Sequence, residues 1–402
     1  MLAVLTGLNL VNYLDRYVVP AVQETIRHDM RLDDSQLGLL TTAFVVVFMV
    51  LSPVFGWLGD TRSRTALIGF GVVVWSLATA SSGIVPTFGM LLVTRMFVGV
   101  GEAAYGTIAP AVLSDAFSPE VRGRVFSVFY AAVPIGSALG YLVGGAVGSH
   151  WGWRHAFLLT AIPGIVLAFL AMRLPDPQRG AQGEEDDGAG AAAEGVSSIY
   201  GALLRNRLFV LTVAGYAAGT FAIGGLAVWL PTFLLRERHL ENAAEIVGAV
   251  MAVSGLVGTL AGGWLGDAFV RRTPLSYLWV SGITSLLAVP STIIALRATD
   301  SRVYLAAIFI SALLVFASTG PINTLIVNVV SPDMRASALA ATTLAIHLFG
   351  DALSPVLIGG LSDFTRSLAL AVLIVPVALA AGAFIWIVTA WWGDRTAKRG
   401  VA

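Results

Sequence analysis

Long apolar segments, separated by short polar ones, follow one another along almost the entire chain. A bilayer core of ~30 Å is crossed by a helix of ~20 apolar residues. Measured against that length, the sequence predicts twelve transmembrane helices and hence an all-α membrane protein. They lie near residues 2–22, 37–58, 65–85, 88–113, 123–149, 155–173, 207–233, 246–269, 274–296, 303–330, 336–361 and 367–392.

One polar stretch, residues 174–206, is longer than the others and has a different composition. It contains two prolines, the acidic run EEDD and many Gly and Ala residues, which is typical of a flexible, solvated linker. We therefore expect an N-terminal six-helix bundle over residues 1–173, a cytoplasmic linker over 174–206 and a C-terminal six-helix bundle over 207–402. A short amphipathic helix is expected at Ser197–Arg205.

Three short motifs occur once in each half, in the same order. GWLGD at 56–60 recurs at 263–267, SPEVR at 118–122 resembles SPDMR at 331–335, and GSAL at 136–139 resembles GDAL at 350–353. Ordered self-similarity indicates an internal repeat. Two pseudo-symmetric six-helix bundles are typical of alternating-access transporters.

The composition excludes several classes of protein. Hydrophobic residues make up 57% of the chain and charged residues 12%, about half of the ~25% usual in soluble domains. A soluble enzyme, a nucleic-acid binder and a disordered chain are therefore excluded. There is no cysteine, the five histidines lack metal-ligand spacing, and no nucleophile elbow or phosphate loop occurs, so neither an enzyme nor a metal or other cofactor is expected.

The basic residues predict the orientation in the membrane. Fourteen Lys and Arg residues fall on the side of the predicted linker and eight on the other, while Arg16 and Arg95 lie inside predicted helices. Because cytoplasmic loops carry the excess of Lys and Arg, we expect both termini to be cytoplasmic, in a cell inner membrane.

Two motifs resemble the major facilitator superfamily: Gly56-x-Leu58-x-Asp60-x-x-x-Arg64 after the second predicted helix, and RxxxGxG at 95–101. The glycine series at 136–145 resembles the antiporter motif of that superfamily, but Tyr141 replaces its proline, so antiport is not inferred. The resemblance implies the major facilitator fold.

A narrower resemblance is to the Spinster family of lipid transporters. It is carried by NYLDRY at 12–17, RMFVGVGEAAYGTIAP at 95–110 and HLFGDALSP at 347–355. This resemblance implies transport of sphingoid or lysophospholipid molecules, driven or gated by protons.

A few charged residues lie inside the predicted membrane helices: Asp15, Arg16, Arg95, Glu102 and Asp351, with the titratable His347. Each costs ~2.5–3.5 kcal/mol on insertion scales, so each needs a partner or a water-filled cavity. Asp15, Arg16 and Arg95 share a depth, and Glu102 lies two helical turns, ~10 Å, further toward the midplane. We expect the arginines to bind an anionic head group and the carboxylates to carry protons. The alternative is a static lattice that pairs Asp15 with Arg95 and Arg16 with Glu102.

Further substrate-binding candidates are the tyrosines Tyr13 and Tyr105, the pair His347 and Asp351, and Asn323. His347 and Asp351 are four residues apart and so share a helix face, near Gly350 and Pro355, which predict a bent or broken helix. A buried His is more often a satisfied core residue, which is the alternative reading. The phenylalanines are interpreted as core or lipid contacts.

Asp60 and Asp267 end the second and eighth predicted helices at matched positions of the repeat. We expect a cytoplasmic latch in which these carboxylates meet helix dipoles and nearby arginines. The candidate arginines are Arg64, Arg122, Arg271 and Arg335. The alternative is that these positive charges act in topology alone.

The sequence thus predicts a monomeric, proton-coupled transporter of an amphipathic, phosphate-bearing lipid, whose partners are that lipid, protons and the bilayer. Efflux of hydrophobic drugs or transport of organic anions is the alternative within transport. A non-transporting membrane receptor is the alternative outside it.

Overall fold

The computed structural model of the protein describes residues 1–178, 196–331 and 334–399, and every extended regular element in these ranges is a helix. The helices of the first half are α1 (Leu2–Met30), α2 (Asp34–Thr61), α3 (Arg64–Ser82), α4 (Phe88–Ala116), α5 (Pro119–Trp151) and α6 (Trp153–Met172). The short helix α7 (Val196–Arg205) agrees with the predicted amphipathic helix. The remainder of the predicted linker, residues 179–195, lies outside the described residues.

The second half contains more helices than predicted because three predicted spans are interrupted. It comprises α8 (Arg207–Arg238), α9 (Ala243–Phe269), α10 (Ser276–Arg297), α11 (Ser301–Phe316), α12 (Thr319–Asn328), α13 (Arg335–Ile346), a π-helical turn (His347–Asp351), α14 (Ser354–Thr365), α15 (Leu368–Ala371) and α16 (Ile374–Arg399). The break predicted near Gly350 and Pro355 is confirmed by the π-helical turn.

The helices agree with a multi-pass membrane protein. Within the described residues, eleven segments are long and apolar enough to cross a membrane, with α11–α12, α13–α14 and α15–α16 each forming one segment. The helix α1 corresponds to the first predicted span, residues 2–22, and is not among these eleven. Asp15 and Arg16, together with Asn9 and Asn12, lower its mean hydropathy.

Glycines set the closest helix contacts of the first half. A methyl group on Gly136 would lie 2.4 Å from the carbonyl oxygen of Leu10, and one on Gly140 would lie 2.4 Å from that of Leu14. Because such distances exclude any side chain, the glycine series of α5 is required for its contact with α1. The same series suggested the antiporter motif in the sequence.

The chain forms two compact units. The first contains Met1–Asp186, Val228–Ala249 and Pro355–Asp363, and the second contains Asp187–Ala227, Val250–Ser354 and Phe364–Ala402. The first unit therefore includes the end of α8 and most of α14 as well as the N-terminal helices. The bundle boundaries at residues 173 and 206 stay a prediction.

In the second unit, Trp386 of α16 anchors the packing. It is 1% exposed, and its indole Nε1 donates to the carbonyl oxygen of Thr212 on α8 at 3.0 Å. A methyl group on Gly215 would lie 2.3 Å from that indole nitrogen. The buried cluster around it includes Leu278 of α10 and Leu325 of α12.

Candidate functional site

An ion pair joins α1 to α4 in the interior of the first unit. Nε of Arg16 lies 2.6 Å from Oε2 of Glu102, which is fully buried, whereas the Arg16 side chain is 21% exposed. Arg16 lies at the middle of the 29-residue helix α1 and Glu102 at the middle of the 29-residue helix α4, so the two residues are at matching positions along their helices. One of the two pairs of the static-lattice alternative is therefore present.

The second pair of that lattice, Asp15 with Arg95, makes no hydrogen bond among the described residues, although the two charges interact electrostatically. Arg95 is 2% exposed, and neither its Nε nor its Nη1 has a hydrogen-bond partner there. Asp15 is 1% exposed and accepts a hydrogen bond from the hydroxyl of Thr79 on α3, not from Arg95. Buried guanidinium N–H groups that lack an acceptor are unfavourable unless a ligand or water completes them. Arg95 is thus the charged residue of the site with the most polar atoms that lack a hydrogen-bond partner among the described residues.

Aromatic rings surround these arginines, which the sequence interpretation missed. Cζ of Arg16 lies 5.0 Å from the ring centroids of Tyr13 and Phe44 and 4.9 Å from that of Phe48. Cζ of Arg95 lies 5.5 Å from the ring of Phe44. These distances are within the range of cation–π interaction. Tyr13 therefore contacts Arg16, and its predicted role in substrate binding stays a prediction.

Gly99 explains how the rings of α2 reach the charges of α1 and α4. A methyl group on Gly99 would lie 2.6 Å from the carbonyl oxygen of Phe44 and 3.2 Å from the backbone nitrogen of Phe48. A methyl group on Gly101 would lie 2.3 Å from the carbonyl oxygen of Gly71 on α3. The two glycines of the RxxxGxG motif thus serve the close packing of α4 against backbone.

Tyr105 lies in the packed interior of the first unit. It is 1% exposed, its hydroxyl donates to the carbonyl oxygen of Leu5 at 2.7 Å, and its ring meets that of Trp75 edge-on at 5.5 Å. These contacts fasten α4 to α1 and α3. A substrate-binding role for Tyr105 stays a prediction.

The predicted site residues of the second half lie in the second unit. Nδ1 of His347 lies 2.9 and 3.0 Å from the two carboxylate oxygens of Asp351, so the pair expected from the four-residue spacing is formed. Nδ2 of Asn323 donates to the hydroxyl of Tyr216 at 3.2 Å. Asp351 packs on α8, where a methyl group on Gly224 would lie 2.6 Å from its Cβ. Substrate binding by these residues stays a prediction.

The arginine partners expected for Asp60 have other contacts. Nη1 of Arg64 lies 2.5 Å from Asp115 at the end of α4, and its Nε lies 3.2 Å from Asp176. Nη2 of Arg122 donates to the carbonyl oxygen of Ser114 at 2.9 Å. Asp60 itself is exposed and makes no ion pair with a described residue. In this conformation Arg64 is paired with Asp115 and Asp176, and the latch of Asp60 with these arginines stays a prediction.

The matched acid of the second half is not paired with arginine either. Asp267 accepts a hydrogen bond from the hydroxyl of Tyr277 at 2.8 Å, and Arg335 donates to the carbonyl oxygen of Val327 at 3.2 Å. Arg271 is exposed. A latch that forms in another state stays a prediction.

The most extensive charge network lies at the opposite ends of the helices, and the sequence interpretation missed it. The Arg236 cluster consists of Glu24, Asp34, Arg236, Ser362 and Asp363. Arg236 donates two hydrogen bonds of 2.8 Å to Asp34 and one of 2.6 Å to Glu24. Ser362 donates to Asp34 at 2.6 Å, and the carboxylate of Asp363 accepts from the first backbone nitrogens of α2 at 3.0 and 2.8 Å. The cluster binds the ends of α1, α2, α8 and α14 together within the first unit.

Comparisons with known proteins agree with this fold. A profile of the Major Facilitator Superfamily matches residues 5–355. Protein spinster of Drosophila melanogaster is 34% identical over 90% of this chain, which spans 61% of the length of that relative. The sphingosine-1-phosphate transporter of Mus musculus is 32% identical, with 96% of this chain and 76% of that protein covered.

Among solved structures, a bacterial homolog of the human lysosomal transporter Spinster, described as inward-facing and unoccupied, has a TM-score of 0.82 to this chain. It is 24% identical, and the match covers 97% of this chain and 94% of that one. The relatives are transporters and not enzymes. The chain is a multi-pass membrane transporter that belongs to the Spinster family of the major facilitator superfamily.

Proposed function

We propose that this protein is a proton-coupled, alternating-access transporter of amphipathic lipids that bear a phosphate group, similar to sphingosine phosphate or lysophospholipids. The observation that carries the proposal is the buried guanidinium of Arg95, whose Nε and Nη1 have no hydrogen-bond partner among the described residues, beside the Arg16–Glu102 ion pair. The printed name of the mouse relative, a sphingosine-1-phosphate transporter, supports the substrate class.

In this proposal Arg95 binds the anionic part of the head group. A guanidinium presents a planar fork of donors that matches phosphate oxygens, and such bonds are roughly twice as strong as neutral ones. Nε and Nη1 of Arg95 have no acceptor among the described residues, so a phosphate would gain these bonds without breaking an existing pair. The apolar walls of the membrane helices accept the hydrocarbon tail.

The two buried carboxylates are the proposed proton carriers. Each has one oxygen without a hydrogen-bond partner among the described residues, namely Oδ1 of Asp15 and Oε1 of Glu102. Among the side chains of the described residues, Arg16 alone donates to Glu102 in this conformation. When Arg16 moves to the substrate, a proton replaces it on Glu102, and proton binding is thereby linked to substrate binding.

The Arg236 cluster is the proposed external gate. The distribution of Lys and Arg favours cytoplasmic termini in a cell inner membrane, which assigns the cluster to the external face. Its ion pairs join helix ends from both halves of the sequence, so they must break before an external opening forms.

The test is lipid flux into proteoliposomes that contain the purified protein. Uptake of labelled sphingosine phosphate and of a lysophospholipid is measured with and without a pH difference across the membrane. We expect Arg95→Ala to abolish flux and Arg95→Lys to restore little, whereas Arg302→Ala, at an exposed helix end, keeps wild-type flux. Wild-type flux in Arg95→Ala would contradict the assignment of the phosphate site, and no lipid flux in the wild type would contradict the proposed function.

A further inference from the structure

We propose that Arg271, Arg272 and Arg395 form a binding site for the phosphate of an anionic phospholipid from the surrounding bilayer. The three residues are called here the arginine patch. They lie in the second unit, two of them in the turn between α9 and α10 and the third near the end of α16. Because the ligand is a lipid of the bilayer and not the transported substrate, this site is independent of the proposed function.

One carboxylate holds the two segments of the arginine patch together. Oδ1 of Asp394 accepts a hydrogen bond from the hydroxyl of Thr273 at 2.6 Å, and its Oδ2 accepts one from the indole nitrogen of Trp279 at 2.9 Å. Thr273 directly follows the first two arginines along the chain, and Asp394 directly precedes the third. These hydrogen bonds therefore bring all three arginines to one place at the end of the second unit.

The arginine patch carries more positive charge than its neighbours neutralise. All three side chains are exposed, and none forms an ion pair with another residue in the described part of the chain. The acids at the ends of α9 and α16, Asp267 and Asp394, accept hydrogen bonds from neutral donors instead, Asp267 from the hydroxyl of Tyr277 at 2.8 Å. The sequence adds Lys398 and Arg399 in the last turn of α16. Positive charge thus exceeds negative charge here, which favours an anionic partner.

Exposed aromatic rings contact two of the guanidinium groups. Cζ of Arg395 lies 3.7 Å from the ring centroid of Trp391, and Cζ of Arg272 lies 4.9 Å from that of Phe269. Trp391 is 47% exposed and Phe269 is 37% exposed. Aromatic rings at the ends of membrane helices lie at the level of the lipid head groups, and an arginine there keeps its stem on apolar surface and its charge in the polar layer. The partner therefore has an apolar part directly beside an anionic part.

A phospholipid with a net negative charge fits this combination better than a soluble anion or a zwitterionic lipid. A guanidinium presents a planar fork of donors that matches phosphate oxygens, and basic clusters at the ends of membrane helices attract anionic head groups. The exposed rings and the exposed Val270 contact the acyl chains, which a soluble phosphate lacks. The excess of positive charge disfavours the ammonium group of a zwitterionic lipid. Phosphatidylglycerol, which has a phosphate and no cation, is therefore the expected ligand.

The test measures lipid binding to the purified full-length protein by native mass spectrometry. The probes are phosphatidylglycerol and phosphatidylcholine with identical acyl chains, and we expect the wild type to bind phosphatidylglycerol at least about tenfold more tightly. The double variant Arg272→Gln/Arg395→Gln should reduce that preference to below about threefold. The matched control is Arg297→Gln/Arg302→Gln, which removes two exposed arginines beyond the opposite end of α10 and should retain the preference.

Each other outcome contradicts a defined part of the proposal. Equal binding of the two lipids by the wild type would overturn the site, and an equal reduction in both double variants would show that net charge alone attracts the lipid. Arg95→Ala should keep the preference, and its loss there would move the bound lipid to the substrate site. Competition by glycerol phosphate, which has no acyl chains, would assign the arginine patch to a soluble anion.

Discussion

Replacement of Arg236 by methionine should open the face of the protein that we propose to be external. Methionine keeps an unbranched apolar side chain but removes all three hydrogen bonds to Glu24 and Asp34. The side chains are 18% exposed for Arg236, 10% for Glu24 and 7% for Asp34, so the network is neither at the surface nor fully desolvated.

The expected size of the effect follows from that intermediate burial. Exposed ion pairs are worth ~0.2–1 kcal/mol, and removal of one partner from a buried pair costs ~3–5 kcal/mol. After the substitution Glu24 keeps Arg27 at 3.2 Å and Asp34 keeps Ser362 at 2.6 Å, so part of the network survives. We therefore expect ~2 kcal/mol, which changes the ratio of closed to open forms about thirtyfold.

Spin-label distances report this shift directly. The chain has no cysteine, so His150→Cys and Glu241→Cys, both exposed, can be labelled without side reactions. An open fraction of ~1% in the wild type would rise to ~25% with Arg236→Met. Arg236→Lys should give an intermediate value because it keeps the charge but loses the bidentate contact.

The control is Arg238→Met, two residues further on the same helix, where the guanidinium lies 5.2 Å from the ring of Phe233. It removes one positive charge from the same end of α8 and should leave the distance distribution unchanged. Equal distributions for Arg236→Met and the wild type would refute the gate. Equal shifts for both substitutions would show that net charge, and not the specific network, controls opening.

Three further predictions concern the packing of α4 against α2, the ion pairs of Arg64 and the protonation of Glu102. Gly99→Ala should lower the melting temperature by several degrees, because the added methyl group would lie 2.6 Å from the carbonyl oxygen of Phe44 on α2. Gly106→Ala is the control and should not lower it, because its methyl group would lie 3.4 Å from the nearest atom, on the ring of Phe48. Arg64→Ala should lower the melting temperature because it removes the ion pairs with both Asp115 and Asp176. Asp115→Asn should lower it less, because the pair of Arg64 with Asp176 remains. Equal melting temperatures for the wild type and both variants would contradict this. Glu102→Gln should hold the spin-label distances at their low-pH values at every pH, and a wild-type pH response would assign the proton to another group.

Contacts between residues on one helix, or at a shared depth, could be predicted from the sequence. His347 and Asp351 meet because four residues make about one turn, and the break beside them follows from Gly350 and Pro355. The pair of Arg16 and Glu102 was foreseeable because only a few charges lie inside the membrane helices, and each needs a partner.

Contacts among helix ends could not be predicted. The sequence places many charges at these ends, and which of them meet depends on helix tilt and on where each helix stops. Arg64 therefore pairs with Asp115 and not with Asp60, although both acids end helices on the same predicted side. For the same reason the sequence did not indicate the ion pairs of Arg236, since its partners Glu24 and Asp34 are about 200 residues away along the chain.

The contacts of Phe44 and Phe48 with Arg16 could not be predicted, for a different reason. The chain has 20 Phe and 9 Tyr residues, and most phenylalanines in membrane helices contact lipid or core. Phe44 and Phe48 share a face of α2, but only the close approach at Gly99 brings that face to Arg16. A packing distance of a few ångströms decided their environment, and no periodicity in the sequence encodes it.

The central claim is that lipid movement through this site is coupled to protons at Glu102. The most direct measurement follows lumenal pH in proteoliposomes while a sphingosine phosphate gradient drives lipid across the membrane. The account predicts that lipid flux changes the lumenal pH in the wild type, that Arg95→Ala abolishes both signals, and that Glu102→Gln abolishes the pH change while some lipid exchange persists. Lipid flux without any pH change in the wild type, or an unaltered pH change in Glu102→Gln, would contradict it.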